Sequence, residues 1–193
     1  SYFLLLIQRR YRKIKLNKYV KMALFMILAY IIAVFFNDIT GGGHELIEKM
    51  FGKNVLLRTL IIILVLKFFY TMLCYATGAP GGIFLPMLVI GALTGKVYGE
   101  ILNHYFSIPN DIIVHFMLLG MAAYFTAVVR APITGITLIL EMTGNFSYLY
   151  MLIIVCTITY IFTELLKMEP IYERLYFNMF HKQILAVNKE NSE

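Results

Sequence analysis

The run Gly81-Gly82-Ile83-Phe84-Leu85-Pro86 is the stretch of this sequence best suited to chemistry. Two glycines let the backbone turn tightly, and Pro86 fits the first turn of a helix, where its missing N–H costs nothing. The amides of Ile83, Phe84 and their neighbours then stand as unpaired donors at the positive end of a helix. That arrangement holds an anion without a full positive charge to trap it. A plain Gly/Pro turn before an apolar helix has the same composition, so the string alone leaves both readings open. Tyr172, which follows Glu169-Pro170-Ile171, places a neutral phenol donor in the first turn of a closing helix. It serves either to face an anion or to anchor the chain at a membrane interface, where Tyr is enriched.

Other reactive residues offer less. Glu141, in Ile139-Leu140-Glu141-Met142-Thr143, is a carboxylate near the end of an apolar helix and a functional candidate on that ground. It serves equally as a partner for Arg130 or a cap on a neighbouring helix. Lys67 lies deep in an apolar run and needs a partner or a route to the interface. His44-Glu45-Leu46-Ile47-Glu48 begins like a zinc-protease motif but has Glu48 where the second histidine belongs. Gly91-Ala92-Leu93-Thr94-Gly95-Lys96 is one residue short of a phosphate loop and ends in Val97 instead of Ser or Thr. His104, His115 and His181 are isolated, and the 11 methionines form no repeated array. Cys74 and Cys156 sit in apolar runs as packing residues. The sequence therefore calls for no metal, no cofactor and no enzymatic activity.

Membrane helices must position these residues. The chain has 193 residues, 60% hydrophobic and 15% charged, with a mean hydropathy of +0.76. A soluble domain is roughly 45–50% apolar and about 25% charged. Charge is too scarce here to cover a water-facing surface, so the chain reads as an all-α, multi-pass membrane protein. At about 20 residues per span, its length accommodates about five to seven embedded segments.

The net charge of +6 has a topological origin: residues 1–21 hold seven of the 17 basic residues and no acidic ones. A short basic loop beside apolar segments marks the cytoplasmic side, which places residues 8–21 there and makes nucleic acid an unneeded partner. The apolar residues 2–7 precede the basic ones, the reverse of a signal peptide, and read as the end of an upstream helix.

Apolar segments follow at Met22–Phe36, Val55–Tyr75, Leu85–Leu102, Ile112–Val129, Ile133–Met142 and Tyr148–Leu166, with a short element at Glu45–Phe51. Gly91, Gly95 and Gly99 recur every four residues and line one helical face as a packing seam. The chain thus divides into residues 1–21, an upstream helix end and basic loop; 22–166, the membrane domain; and 167–193, a terminal helix and cytoplasmic tail. Several segments are too short to cross a bilayer alone. Broken helices at membrane depth are the mark of a transporter or channel whose site lies at interrupted helix ends.

Four ordered strings carry a resemblance: Gly41-Gly42-Gly43, GAPGGIFLPMLVIGALTG (78–95), GMAAYFTAVVRAPITGITLILEMT (120–143) and Glu169-Pro170-Ile171-Tyr172. Together they resemble the C-terminal half of the ClC family of chloride channels and chloride/proton antiporters, from about residue 20 to 180. The resemblance implies the second inverted repeat of the ClC fold as the membrane domain. It implies chloride as the transported ion, held by the backbone amides of Ile83 and Phe84 and the hydroxyl of Tyr172, with Gly81, Gly82 and Pro86 supporting the turn. It also implies a homodimer in which residues 132–166 contribute to the interface, lipid as the surrounding partner, and a plasma (inner) membrane location.

The family's serine-containing and gating-glutamate loops do not occur in this chain. The resemblance therefore implies a missing N-terminal half as a further partner, and it leaves channel and antiporter open. Only 21 residues follow Tyr172, too few for the paired regulatory domains of eukaryotic members, which points to a prokaryotic-like protein. A second reading stays open beside transport: a non-transporting membrane interaction or dimerisation module from a truncated gene.

Overall fold

The structure, a computed structural model, describes residues 18–35, 43–50, 55–76, 82, 84–167 and 170–173. The expected upstream helix end at residues 2–7 and the tail beyond Glu173 lie outside them. Seven α-helices carry the described chain: α1 (Lys18–Phe35), α2 (His44–Met50), α3 (Leu57–Ala76), α4 (Phe84–Phe106), α5 (Asn110–Val129), α6 (Pro132–Thr143) and α7 (Leu149–Leu165). A single 3-10 turn, Phe146–Tyr148, joins α6 to α7. No strand occurs among the described residues.

Among the described residues, four helical segments are long and apolar enough to cross a membrane: Leu57–Tyr75, Phe84–Phe106, Asp111–Val129 and Phe146–Leu165. They are not equivalent. In α4, 56% of the apolar window is buried within the chain, against 22% for α3 and 17% for α7. A helix hydrophobic all round is buried, so α4 is the central strut, and α3 and α7 turn apolar faces outward.

The most extensive packing joins α4 to α5, and most other helix contacts are made onto that pair, with α6 also packed against α7. On one side α4 meets α2 and α3; on the other α5 meets α6 and α7. Leu88, Val89, Ala92 and Leu93 of α4 and Met117, Leu118, Met121 and Phe125 of α5 form the middle of one buried cluster. The glycine seam predicted on α4 faces α5. A Cβ added at Gly91 would stand 2.6 Å from the Gly120 carbonyl oxygen, and one added at Gly120 would stand 2.5 Å from that of Gly91. At Gly95 the same atom would strike the Phe116 carbonyl. The two backbones touch directly, the close approach that small residues permit between membrane helices.

The helix ends follow from local chemistry. α5 stops where Arg130 takes a left-handed conformation, φ 64°, with its N–H on the Thr126 carbonyl at 2.9 Å. Pro132 then opens α6. Gly144 closes α6 in the same conformation, φ 61°, its N–H bonded to the Leu140 carbonyl. Asn145 accepts from the Ser147 N–H at 2.9 Å and starts the next turn.

The short helix α2 is wedged in place. Leu46, Ile47 and Met50 are buried while Glu45, Glu48 and Lys49 face outward. Gly43, φ 88°, leads into it, and a side chain there would meet Val89 and the Lys67 ammonium. Positive φ and close packing together demand glycine at this point.

Candidate functional site

Phe84 is the first residue of α4, so the turn before it ends at a helix N-terminus, and Pro86 falls in that first turn. The Phe84 ring packs edge-on against Phe125 of α5 with centroids 5.0 Å apart. This contact ties the helix start to the buried cluster. Gly82 is exposed, and its carbonyl accepts a hydrogen bond from the Tyr75 hydroxyl at 2.6 Å. Gly81 and Ile83 lie outside the described residues.

Tyr172 is half exposed and follows Ile171, which is buried. It lies near enough to Tyr75 for the two phenols to interact electrostatically. Tyr75 is thus linked both to the Gly82 carbonyl, by a hydrogen bond, and to Tyr172, electrostatically. Sequence reasoning selected Gly82, Phe84, Pro86 and Tyr172 and missed Tyr75. A phenol one residue from the end of an apolar helix, directly before a Gly-rich break, was the available signal.

The polar residues inside the fold have specific neighbours. Lys67 is fully buried, and its ammonium lies against Gly43 at the start of α2. Thr71 and Cys74 continue the same face of α3, and Cys74 is hydrogen-bonded by Tyr70. Lys96, noticed in the sequence only as the end of a false phosphate loop, is buried and donates to the Met50 carbonyl at 2.6 Å. It sits at the C-terminus of α2, where a cation complements the helix dipole.

Arg130 pairs with Glu164, donates to the Thr163 carbonyl at 2.7 Å and stacks 5.9 Å from the Tyr160 ring centroid. The carboxylate it meets is therefore on α7, and Glu141 stays exposed on α6. His115 packs edge-on against Tyr148. Among the described residues, no group of three or more His, Cys, Asp or Glu side chains is placed to hold a metal ion.

Short helices broken at Gly/Pro turns around a backbone-to-backbone seam define a class: an all-α, multi-pass membrane protein with a turn opening its most buried helix. Comparison with known proteins narrows the class. The voltage gated chloride channel family matches residues 1–164. The H(+)/Cl(-) exchange transporter ClcA of Vibrio cholerae serotype O1 is 39% identical over 155 residues, 80% of this chain and 33% of that protein. The ClcA of Yersinia pestis is 34% identical over 153 residues, 79% of this chain and 32% of that protein. A crystal structure of a slow cyanobacterial Cl-/H+ antiporter superposes with a TM-score of 0.86 at 30% identity, covering 94% of this chain and 43% of that one. The chain belongs to the voltage gated chloride channel, or ClC, family. It spans about a third of the length of the curated relatives it matches.

Proposed function

We propose that this chain supplies the C-terminal half of the anion pathway of a membrane protein that moves chloride, passively or coupled to protons. The backbone amides of Ile83 and Phe84 and the hydroxyl of Tyr172 are the chloride ligands, with Gly81, Gly82 and Pro86 shaping the turn. The supporting observations are that Phe84 opens the buried helix α4, that the Gly82 carbonyl is held by Tyr75, and that Tyr75 interacts electrostatically with Tyr172. The relatives named for chloride/proton exchange support the choice of ion.

The energetics suit transport. Moving an anion from water to a medium of low dielectric costs of order 20 kcal/mol by the idealised Born estimate, and several kcal/mol after relaxation. Helix-end amides and a hydroxyl recover part of this without the full charge that would hold the ion too tightly.

In this reading residues 1–21 are a helix end and basic loop with 8–21 on the cytoplasmic side, 22–166 are the membrane domain, and 167–193 are the terminal helix and tail. The membrane is the plasma (inner) membrane. Two copies associate through residues 132–166, where Ile133, Ile154, Ile158 and Phe162 leave apolar surface uncovered by this chain. The N-terminal half of the pathway comes from other sequence.

Chloride flux from proteoliposomes tests the division of labour. Residues 1–193 alone are expected to give no flux above empty vesicles, and robust flux from them would overturn the half-pathway assignment. In the intact assembly, Tyr172→Phe is expected to weaken chloride binding by about three- to tenfold, the effect of one hydrogen bond, with unchanged thermal unfolding. Identical calorimetric titrations of wild type and variant would remove Tyr172 from the ligand set.

A further inference from the structure

We propose that Tyr75 is a positioning residue of the anion turn: its hydroxyl holds the Gly82 carbonyl and thereby aims the amide joined to it at the ion. This rests on the reading of residues 81–86 as an anion site and adds to it a residue from a different helix.

The geometry carries the assignment. Tyr75 lies one residue from the end of α3, and its hydroxyl donates to the Gly82 carbonyl at 2.6 Å. In a trans peptide unit the C=O and the N–H that follows it point to opposite sides of the chain. Fixing the carbonyl toward Tyr75 therefore fixes the direction of the next amide, away from α3.

Packing does not do this work. Among the described residues, a Cβ built on Gly82 would meet no atom within 4 Å, and glycine loses more conformational freedom on ordering than any other residue. A turn of this composition needs a tether, and a short bond from a helix-borne phenol supplies one. The phenol stands on α3, which packs against α4, so the tether links the turn to the same helix pair that the turn opens. Tyr75 also interacts with Tyr172. One side chain thus orients the turn and stands beside the second proposed ligand.

The test uses the intact assembly, this chain together with the sequence that supplies the other half of the pathway, in lipid nanodiscs, with chloride as the probe in calorimetric titration. Tyr75→Phe removes only the hydroxyl and is expected to weaken chloride binding about three- to tenfold while the melting temperature and elution volume stay at wild-type values. Replacing Tyr75 with 4-aminophenylalanine, which keeps a donor at the same place, is expected to restore binding to within about twofold of wild type. Replacement with O-methyltyrosine, which keeps the bulk and loses the donor, is expected to match Tyr75→Phe. Unchanged affinity in Tyr75→Phe would overturn the proposal. So would a loss that 4-aminophenylalanine does not rescue, which would mark Tyr75 as a packing residue. A wild-type protein that binds no chloride while remaining folded would sink the anion site itself, a failure distinct from that of Tyr75.

Discussion

A leucine at position 95 is expected to prevent the chain from folding. Gly95 stands where α4 crosses α5, and even a methyl group there would strike the Phe116 carbonyl and lie 3.0 Å from the Met117 Cα. These are main-chain atoms, so no side-chain rotation makes room; the helices themselves must separate. Separation exposes the middle of the buried cluster, where Leu88, Val89 and Leu93 meet Met117, Met121 and Phe125. Overpacking a close contact costs about 1–3 kcal/mol even when neighbours can yield, and here they cannot. Between membrane helices the loss falls on van der Waals packing, the principal force holding them together. Gly95→Ala is therefore expected to lower stability by more than about 3 kcal/mol, the upper end of that range, and Gly95→Leu to yield aggregated protein at the void volume in size-exclusion chromatography. A Gly95→Leu protein that elutes and melts like wild type would show that the α4–α5 crossing does not organise the fold.

The same crossing marks how far the sequence is legible. Glycines at 91, 95 and 99 repeat every four residues, which fixes the face of α4 that must be close-packed. Nothing in that repeat identifies the partner. Gly120, whose backbone completes the contact, stands singly in its own helix and carries no period. The helices were legible for a simpler reason: each apolar run ends at a residue with a mechanical reason to end it, such as Arg130 before Pro132, or Gly144. The short helix α2 was less so, because seven residues of mixed polarity show no period until Leu46, Ile47 and Met50 are buried by α4.

At the candidate site the start of α4 could be read from Pro86, whose backbone property is local and which falls in the helix's first turn. Tyr75 could not, because its role depends on α3 ending beside the turn that follows it. Lys67 illustrates the middle case. Its depth in an apolar run calls for a partner or a route to the interface, and only the fold places its ammonium against Gly43. Arg130 gave a similarly incomplete signal: its need for a carboxylate was legible, while the choice of Glu164 over Glu141 depends on how α7 crosses the α5–α6 corner.

Reversing the charge at Lys96 is the other substitution with a large expected effect. The ammonium is buried, 2% exposed, and donates to the Met50 carbonyl at the C-terminus of α2. Removing the charge alone has opposing consequences. Losing a charge-assisted bond costs about 1.5–3 kcal/mol, while sparing the desolvation of a buried ammonium returns an amount of the same order. Lys96→Gln, which keeps an N–H donor, is therefore expected to change stability by less than about 1.5 kcal/mol. Lys96→Glu has no compensating gain. It sets acceptors against the carbonyls of a helix end, places a negative charge at the negative pole of the dipole, and turns the attraction of Glu100, one turn along α4, into repulsion. The uncompensated charge alone costs several kcal/mol, comparable to the roughly 5–15 kcal/mol stability of a typical folded domain. Thermal unfolding followed by size-exclusion chromatography separates the two variants: Gln near wild type, Glu unfolded or aggregated. If both melt at the wild-type temperature, the lysine does not hold α2 against α4. If both are lost alike, the position needs the length and charge of the lysine itself, and the near cancellation of the two energies is wrong.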